Sequence, residues 1–513
     1  MSKPSKKEKK KRTKGVLGTI ELVGNALPHP SYIFMILFVV VVFLSAALSK
    51  VTFLHPGTGE TQGINSLLGA TGLQWFLKTM IDNFIRFRPL GMVLVTAMGI
   101  GLAEESGLLR TALQSSIVKA PPYLITAIVV FSGIMGNLAS SASFVIIPPL
   151  GAMMFKALGR HPIAGMCAGF GGVAAGLSAN LIIAPTDILL SGITESAAQI
   201  MDPNFTVNPT VNWYFMAVST IVLTIVGTLV NELVVEKRLG KYDPAQASED
   251  TAEDVELMTI GTDQKRGMRF AGIAGLIFIV LLLIAIVPKN GILRSPEGKL
   301  IPSPFLDSIA PLFTLLFASL GIAYGVGART IKKSTDIIKM LSKSASGLAG
   351  FIVLCFFAAQ FVEAFSYTNI GLFVSVKGAE FLETTGFDGI PLILSFLILS
   401  LLIDFFIGSA SAKWVLLSPI FVPMFMRLNL TPFFTQAAYR IGDSITNAIS
   451  PLEPFMPYMI VTAQKYDKKA GLGTVISNMM PIALAYLVSW AALLVIWYVF
   501  DIPLGPGAGI LMN

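Results

Sequence analysis

Residues 389–427 read GIPLILSFLILSLLIDFFIGSASAKWVLLSPIFVPMFMR. This stretch is almost entirely apolar, yet it is too long for a single helix across the ~30 Å hydrocarbon core of a bilayer. The polar cluster Ser409-Ala410-Ser411 lies near its middle. Non-helical backbone at membrane depth has to be buried in protein or line a cavity. We therefore predict a re-entrant hairpin whose two arms meet at this tip of small residues.

The same pattern occurs earlier in the chain. The apolar stretch 122–155 carries Ser141-Ala142-Ser143 near its middle, which predicts another hairpin. Asparagine and proline at membrane depth indicate helices that are broken around a protected cavity. Two such interruptions at matching positions of two halves predict the binding site of a secondary transporter. They follow the serine clusters at nearly equal spacing, with Asn180 and Pro185 in the first copy and Asn447 and Pro451 in the second.

Composition assigns the whole chain to the membrane. Apolar residues make up 54% of the chain and charged residues 13%. The predicted fold class is an all-α polytopic membrane protein with inverted repeats, about nine transmembrane helices and two re-entrant hairpins. The helices are expected near residues 31–51, 87–104, 162–185, 213–234, 269–288, 306–326, 347–367, 432–460 and 478–500.

Positive charge is concentrated at the N-terminus. The formal net charge is +7, and much of it lies in a lysine-rich tail, residues 1–14, and in short loops. This distribution fits topology signals and anionic lipid, and it argues against nucleic acid as a partner. The tail is too far from the first apolar run at Ile33 to be the n-region of a signal peptide, so we expect a retained first helix. Cys167 and Cys355 lie in apolar segments, where inert buried thiols are expected.

The charges of the loops predict how the helices are oriented in the inner cell membrane. With the N-terminus in the cytoplasm, the first hairpin enters from the cytoplasm and the second from outside, so the two copies are inverted in space. The loops left outside, 53–85, 191–212, 289–305 and 368–388, hold fewer basic residues, as the positive-inside rule requires. The basic positions on the cytoplasmic side are Arg110, Lys119, Lys156, Arg160, the linker 235–268, Arg329 to Lys343, Lys465, Lys468 and Lys469.

These features divide the chain into seven predicted parts. The two halves of a transport core are each preceded by scaffold helices, and an acidic, flexible linker joins the halves. The parts are a basic cytoplasmic tail at 1–30, scaffold helices at 31–121, the first half of the core at 122–234, the cytoplasmic linker at 235–268, scaffold helices at 269–388, the second half of the core at 389–500 and a C-terminal tail at 501–513.

A few ionisable residues are expected at membrane depth, where each charge costs a few kcal/mol and therefore indicates function. Asp187 follows the first interruption, where a carboxylate beside unwound backbone can bind Na⁺ or carry a proton. The structural alternative for Arg440 and Asp443 is a salt bridge between them at i, i+3 spacing. The residues concerned are Asp187, Asp404, Lys413, Arg440, Asp443 and Glu453.

The serines and Trp414 also have structural alternatives. Small residues let membrane helices pack closely, which would explain Ser141, Ser143, Ser409 and Ser411 without a ligand. Their pairing with a downstream asparagine and proline in both halves favours a binding role. Trp414 is equally compatible with stacking on an aromatic substrate and with an ordinary membrane aromatic.

The sequence lacks the motifs of other energy sources and of hydrolases. It contains no Walker loop, no His-Glu-x-x-His and no Gly-x-Ser-x-Gly pattern, and its scattered histidines have no metal-ligand spacing. We therefore expect transport driven by an ion gradient, with no cofactor and no enzyme activity.

Several motifs occur in one order along the chain, and together they resemble the AbgT family of p-aminobenzoyl-glutamate transporters. They are Asn25-Ala26-Leu27-Pro28-His29-Pro30, Gly159-Arg160-His161-Pro162, Ala184-Pro185-Thr186-Asp187, Gly408-Ser409-Ala410-Ser411-Ala412-Lys413-Trp414, Ser418-Pro419-Ile420-Phe421-Val422-Pro423-Met424-Phe425 and Pro503-Leu504-Gly505-Pro506-Gly507. The resemblance implies a homodimer of inverted-repeat protomers, with a plan similar to elevator-type carriers. It also implies uptake of p-aminobenzoyl-glutamate or export of sulfonamide-type antimetabolites, driven by Na⁺ or H⁺.

The family's functional positions fall on Asp187, Ser411, Trp414, Arg440, Asp443 and Pro451 of this sequence. The resulting hypothesis assigns the coupling ion, Na⁺ or H⁺, to Asp187 or Asp443. A coupling Na⁺ would lie near Asn180, Asp187 and Asn447. A guanidinium binds a carboxylate bidentately, so Arg440 suits a glutamate-bearing substrate. The predicted substrate-binding residues are Ser141, Ser143, Asn180, Ser409, Ser411, Trp414, Arg440, Asn447 and Pro451.

Three alternatives remain open from the sequence. A channel also uses re-entrant hairpins, but it conducts without a coupling ion. An intramembrane enzyme would return a chemically changed substrate, although no convincing nucleophile and base pair is visible. A Na⁺-coupled dicarboxylate carrier is the nearest rival among transporters.

Overall fold

The structure is a computed structural model that describes residues 30–54, 61–118, 120–139, 141–244, 247, 259–301, 303–386 and 388–512, with only the backbone at Ala139 and Ser141. The predicted basic tail before Pro30, Lys119 and the acidic centre of the linker lie outside these residues. The described chain is almost entirely helical, with one antiparallel pair of short strands, Thr52–Leu54 and Thr61–Gly63. The all-α prediction is confirmed for this part of the protein.

The described residues contain seven helices that are long and apolar enough to cross a membrane, or eight if the pair Leu108–Val118 and Pro122–Leu138, bent by 111°, forms one span. Nine were predicted. The difference arises at 162–185 and 432–460. In each of these stretches a break interrupts the apolar sequence, so that it does not form one continuous helix. The seven are Pro30–Ala47, Ala70–Glu105, Trp213–Leu239, Thr262–Ile286, Ile309–Gly327, Ala349–Tyr367 and Leu472–Val499.

Three segments predicted as loops are helices instead. Ala70–Arg86 and Ile370–Thr385 lie in the predicted outside loops, and Ser334–Ser346 lies in a predicted cytoplasmic loop. Their sequences mix polar and apolar residues, so their mean hydropathy stays below that of a membrane span. In Ala70–Arg86 and Ser334–Ser346 the two residue types lie on opposite faces, a helical pattern that a search for continuous apolar runs misses.

The stretch predicted as the first hairpin forms two helical arms. Its arms are Ile125–Met135 and Ser141–Ala157, joined by the 3₁₀ turn Gly136–Ala139, and a 3₁₀ turn at Pro122–Leu124 precedes them. A Cβ atom added at Gly151 would lie 2.9 Å from Val129 Cγ1 in the other arm and 2.5 Å from the carbonyl oxygen of Gly165 in the next helix. Close contact between these three backbones therefore depends on small residues.

The helix after the first hairpin is broken. Pro162–Phe170 continues into a π-helical turn, Gly171–Ala175, and regular helix resumes only at Pro185–Ala198. We call residues 176–184 between them the first break. Pro185 occupies the first turn of the new helix, where its missing N–H is not needed and its fixed φ angle is favourable.

The second half repeats this arrangement. Its hairpin consists of Gly389–Asp404 and Ala410–Arg427, and its broken helix consists of Pro432–Ile445 and Met456–Gln464. We call residues 446–455 the second break; it starts with the 3₁₀ turn Thr446–Ala448. A Cβ atom at Gly442 would lie 2.5 Å from the carbonyl oxygen of Leu397, so this broken helix packs directly on the first arm of its hairpin.

The two breaks meet inside the protein. The π-helical turn Gly171–Ala175 contacts the 3₁₀ turn Thr446–Ala448. The backbone N–H of Ser178 in the first break donates to Ser444 Oγ at 3.2 Å. The two sequence copies, far apart in the chain, therefore form one interior region.

The remaining helices pack around this region. Ile309–Gly327 packs on Arg88–Glu105 and on Thr262–Ile286, and Arg88–Glu105 also contacts Pro185–Ala198 of the first half. The predicted C-terminal tail folds back onto the helices, where Thr431 N–H donates to the Ile510 carbonyl oxygen at 2.8 Å. The other described helices are Trp213–Val230, followed by the π turn Asn231–Val235 and Glu236–Leu239, and Pro304–Asp307.

Candidate functional site

A buried ion pair connects the two halves at the first break. Asp187 lies in the first turn of helix Pro185–Ala198, where the helix dipole favours a negative charge. Its Oδ2 accepts the backbone N–H of Ala184 at 2.7 Å and the side-chain amide of Asn180 at 3.1 Å. Its Oδ1 accepts from Arg440 Nη1 at 2.6 Å. The carboxylate is therefore paired with a charge and hydrogen-bonded on both oxygens.

Arg440 extends from the second broken helix into the first break. Its side chain is fully buried, and Nη2 donates to the carbonyl oxygen of Ser178 at 2.7 Å. Its Nε has no hydrogen-bond partner within the described chain. The alternative of a salt bridge between Arg440 and Asp443 is wrong, because each residue pairs elsewhere: the same helix turn projects Arg440 toward the first half and Asp443 toward the second hairpin.

Lys413 is the centre of the second group of buried charges, which we call the lysine cluster: Asp404, Lys413 and Asp443. Lys413 Nζ contacts Asp404 Oδ1 and lies 2.6 Å from Asp443 Oδ1. The other oxygen of Asp404 accepts from Thr446 Oγ1 in the second break. Tyr439 Oη lies 3.0 Å from Asp443 Oδ1. The cluster thus joins the second hairpin, the second broken helix and the second break.

Trp414 is fully buried and makes contacts with protein groups. Its Nε1 donates to Thr194 Oγ1 at 2.8 Å, and Thr194 donates to Gln436 Oε1 at 2.5 Å. The Gln436 amide in turn donates to Asn212 Oδ1 at 2.7 Å. The indole ring stacks on Tyr439 with a centroid distance of 4.4 Å. In this conformation a substrate ring would have to displace protein groups to reach it.

The two serine clusters differ in their environment. Ser409 is exposed at the second tip, caps helix Ala410–Arg427 by accepting the Ala412 N–H at 3.4 Å, and has its Oγ 3.2 Å from Ser411 Oγ. Ser143 is fully buried in the first hairpin. The side chain of Ser141 lies outside the described residues. Among the serines of the two clusters whose side chains the structure describes, Ser409 is the exposed one.

The first hairpin contacts residues at both breaks. Thr186 Oγ1, next to the first break, donates to Asn137 Oδ1 in the first tip at 3.2 Å. The Phe144 ring of the first hairpin stacks on Phe455 of the second break, with centroids 4.4 Å apart. Movement of the first hairpin would therefore disturb contacts at both breaks. The two remaining predicted site residues lie within the second break, with Asn447 buried and Pro451 half-buried.

A cavity of about 530 Å³ adjoins the first break. Its walls come from helix Arg88–Glu105, from Pro185, Thr186 and Leu189, and from residues 343–348. Lys343 lines it, with Nζ 2.7 Å from Glu105 Oε2. None of the predicted polar binding residues lines this cavity, although Pro185 and Thr186 precede Asp187 directly. The cavity is therefore not the predicted site itself.

No group of three or more His, Cys, Asp or Glu side chains in the part of the chain that the structure describes is arranged to hold a metal ion. Buried oxygens without a hydrogen-bond partner among the described residues do occur at the first break: Asn180 Oδ1 and Ser178 Oγ. Both lie beside the Asp187 carboxylate and its arginine partner. Uncharged oxygens of this kind are ligands for a hard cation.

The sequence and the fold of this chain are similar to those of known transporters. The model of the AbgT transporter family matches residues 15–512, almost the whole chain. The chain belongs to the AbgT transporter family. An AbgT relative, the p-aminobenzoyl-glutamate transport protein of Escherichia coli strain K12, is 40% identical over 493 residues, which cover 96% of each chain. The protein is therefore a multi-pass membrane transporter and not an enzyme.

Two solved AbgT structures have the same fold. MtrF of Neisseria gonorrhoeae, described as illuminating a class of antimetabolite efflux pumps, superposes with a TM-score of 0.90 at 42% identity, covering 96% of this chain and 99% of its own. The YdaH transporter of Alcanivorax borkumensis, described as having an unusual topology, gives 0.89 at 37% identity, covering 93% and 100%. The AbgT resemblance that the sequence motifs indicated is confirmed.

The sequence reasoning missed the polar network around Trp414. Thr194, Gln436 and Asn212 lie in ordinary-looking positions, and no repeated motif marks them. Their only sequence signal is a polar side chain in an otherwise apolar segment. Asp404 and Lys413 were among the candidate residues identified from the sequence. The ion pair between them could not be predicted, because it depends on how the second hairpin folds back.

Proposed function

We propose that the protein is an ion-coupled secondary transporter. Its substrate is p-aminobenzoyl-glutamate or a related aromatic carboxylate, which it takes up, or a sulfonamide-type antimetabolite, which it exports. The observation that carries the coupling mechanism is the Asp187–Arg440 pair between the halves, 2.6 Å long and fully buried. The cargo is suggested by the Escherichia coli relative, which transports p-aminobenzoyl-glutamate by its description.

The ion pair supplies a coupling mechanism. A substrate carboxylate that binds Arg440 bidentately has to replace Asp187 as the partner of the guanidinium. Asp187 would then hold an uncompensated buried charge, which is costly. A Na⁺ ion or a proton at Asp187 removes that cost, so substrate binding and cation binding favour each other. The unpartnered oxygens of Asn180 and Ser178 support Na⁺ at this position, with Asn447 across the junction of the breaks.

The other predicted residues have complementary roles in this hypothesis. Asp443, held by Lys413, is the second candidate for the coupling cation. Polar groups of the substrate would contact Ser141, Ser143, Ser409, Ser411, Asn180 and Asn447. Pro451 would keep the second break open. Trp414 would receive the aromatic ring once the substrate opens the contact with Tyr439.

The cavity beside the first break is large enough for such a substrate. Ligand cavities for drug-sized molecules are typically ~300–1,000 Å³, and this one measures about 530 Å³. Its walls are mostly apolar, with Lys343, Glu104 and Glu105 at one side. We propose that it is the path by which an aromatic carboxylate reaches Arg440.

The proposed assembly is a homodimer in the inner membrane with a cytoplasmic N-terminus and inverted, re-entrant hairpins. Few residues of helix Thr262–Ile286 are buried within the protomer, and either lipid or a second copy covers its exposed apolar face. Cysteine labelling from each side of the membrane tests the orientation, and mass measurement in detergent tests the dimer.

A dicarboxylate carrier is the second candidate. The buried position of Trp414 favours it, because a small substrate without a ring would need only Arg440 and the polar tips. Competition separates the two: unlabelled p-aminobenzoyl-glutamate would block uptake by the proposed transporter, and succinate or citrate would block uptake by the alternative.

The deciding experiment measures p-aminobenzoyl-glutamate flux in proteoliposomes under separately imposed Na⁺ and H⁺ gradients. One gradient is expected to drive accumulation, and Asp187→Asn and Asp443→Asn are expected to lose that dependence. Full gradient-driven transport by both variants would refute the coupling roles. Electrical conductance without any coupling ion would instead indicate a channel.

A further inference from the structure

The two breaks end on the same short pattern, a proline followed two positions later by an acidic residue. The first has Pro185-Thr186-Asp187, and the second has Pro451-Leu452-Glu453. Asn180 and Asn447 precede the two acids at nearly equal spacing. Glu453 is therefore the counterpart of Asp187 in the second half of the chain.

The two acids have different partners. Asp187 is held by Arg440 and by two further hydrogen-bond donors. Glu453 is also buried, with 8% of its surface exposed, and the backbone N–H of Phe455 faces its carboxyl group. Among the buried carboxylates of the described residues, Glu453 alone belongs to no ion pair. The others are Asp187 with Arg440, Glu195 with Arg88, and Asp404 and Asp443 with Lys413.

The charges around Glu453 do not balance. Lys413 and Asp443 act electrostatically on Glu453, and Lys413 also contacts Asp404. The single positive charge of Lys413 is already shared by two carboxylates. With Glu453 ionised, this region holds three carboxylates and one ammonium group. Because unpaired charge is costly in a buried, membrane-embedded region, the region favours an additional positive charge.

A proton suits this position better than a metal ion. A hard cation needs several oxygen ligands, and the described residues here form no group of acids arranged to hold one. The ammonium group of Lys413 would also repel it. A proton binds a single carboxyl oxygen and needs no further ligand, and it leaves the contacts of the lysine cluster unchanged.

We propose that Glu453 carries an exchangeable proton through the transport cycle. The inference rests on the proposed function as a gradient-driven carrier. One proton passes from water on one side of the membrane to the carboxylate of Glu453, which becomes neutral while the break is enclosed. The same proton returns to water when the break meets the other side. The first break, with Asp187 and Arg440, binds the substrate and its coupling cation as proposed above, and the second break carries this proton.

Purified wild type, Glu453→Gln and Glu453→Asp would be compared in proteoliposomes with labelled p-aminobenzoyl-glutamate. With one proton coupled to each substrate, a gradient of one pH unit supports about tenfold accumulation. Glu453→Gln is expected to lose this accumulation, to flatten the pH profile of uptake, and to lose more of the driven uptake than of the gradient-free exchange. Glu453→Asp is expected to keep proton-driven uptake with a displaced pH profile.

The matched control is Glu297→Gln, which makes the same change at an exposed glutamate paired with Lys299 in a loop. It is expected to behave as wild type. Thermal unfolding of each variant shows whether a loss reflects folding. Wild-type accumulation and pH profile in Glu453→Gln would overturn the inference, as would an equal loss of driven uptake and exchange in both Glu453 variants.

A cargo-independent measurement separates this inference from the proposed function. Potentiometric titration of the detergent-solubilised protein counts bound protons without any substrate. Wild type is expected to take up one more proton than Glu453→Gln within the pH range over which transport varies. Glu297→Gln, measured in the same way, is the reference for an exposed carboxyl group. If wild type carries no p-aminobenzoyl-glutamate but shows the extra proton, the cargo is wrong and the inference stands. Without the extra proton the inference fails.

Discussion

The first and second breaks have matching sequences but different electrostatics. In the first, Asp187 is bound by a buried arginine that comes from the other half, so the region is neutral and fully hydrogen-bonded on its carboxylate. In the second, one lysine serves two aspartates, and Glu453 has no ionic partner in the described chain. A repeated sequence has thus produced one break with balanced charge and one with a deficit of positive charge. The proposed division between a substrate-binding break and a proton-carrying break rests on this difference.

The largest expected effect comes from removing the arginine of the first break. Arg440→Gln leaves Asp187 buried without its counter-charge, which costs about 3–5 kcal/mol of folding free energy. Thermal unfolding of the purified protein in detergent measures the loss. The double variant Arg440→Gln with Asp187→Asn is expected to recover much of it, because no unpaired charge remains. A double variant no more stable than Arg440→Gln would show that the pair is not what balances the first break.

A somewhat smaller effect is expected in the second break. Lys413→Met leaves Asp404 and Asp443 facing each other without a cation, and we expect a loss of about 3 kcal/mol. Adding Asp404→Asn is expected to restore part of this stability, since one carboxylate fewer must be buried. The measurement is again thermal unfolding, compared with the Arg440 series. Equal stability of Lys413→Met and wild type would contradict the charge deficit assigned to this half.

The smallest effect concerns the network that links the halves through Trp414. Trp414→Phe keeps an aromatic ring but loses the hydrogen bond to Thr194, which costs about 1 kcal/mol. Trp490→Phe is the matched control, because Trp490 Nε1 donates to Ser219 Oγ at the same distance of 2.8 Å, away from both breaks. Unfolding temperatures should fall by similar amounts.

Transport distinguishes these two tryptophan variants. Only Trp414→Phe is expected to change the concentration of p-aminobenzoyl-glutamate that half-saturates uptake, because this ring stacks on Tyr439, which precedes Arg440 in the second broken helix. Identical half-saturation in both variants would remove Trp414 from the proposed substrate site and leave it a packing residue.

Much of the site could be foreseen from the sequence because its chemistry is rare in a membrane. Asp187, Lys413, Arg440 and Asp443 are conspicuous among apolar residues, and the structure brings all four to the junction of the breaks. Their pairing could not be foreseen. The i, i+3 spacing favoured a contact between Arg440 and Asp443, but a contact within a helix competes with partners from other segments, and those partners are close only after the halves pack together.

The fold, like the candidate site, was predictable from the sequence only in part. Long apolar runs and their serine, asparagine and proline interruptions predicted the membrane class, the hairpins and the broken helices, because lipid tolerates interrupted backbone only where protein shields it. Amphipathic helices such as Ala70–Arg86 and Ser334–Ser346 were missed, because their apolar residues are spaced around a helix rather than in a continuous run.

The sequence by itself determined that this protein is a membrane transporter of the AbgT family with two matching interruptions. Composition and local motifs carry that information, since hydropathy and backbone breaks act over a few residues at a time. Only the tertiary structure decided that Arg440 neutralises Asp187 and that Glu453 is left without an ion pair. Charge balance in a buried region depends on which distant segments meet there, and a pattern repeated along the chain does not specify its partners.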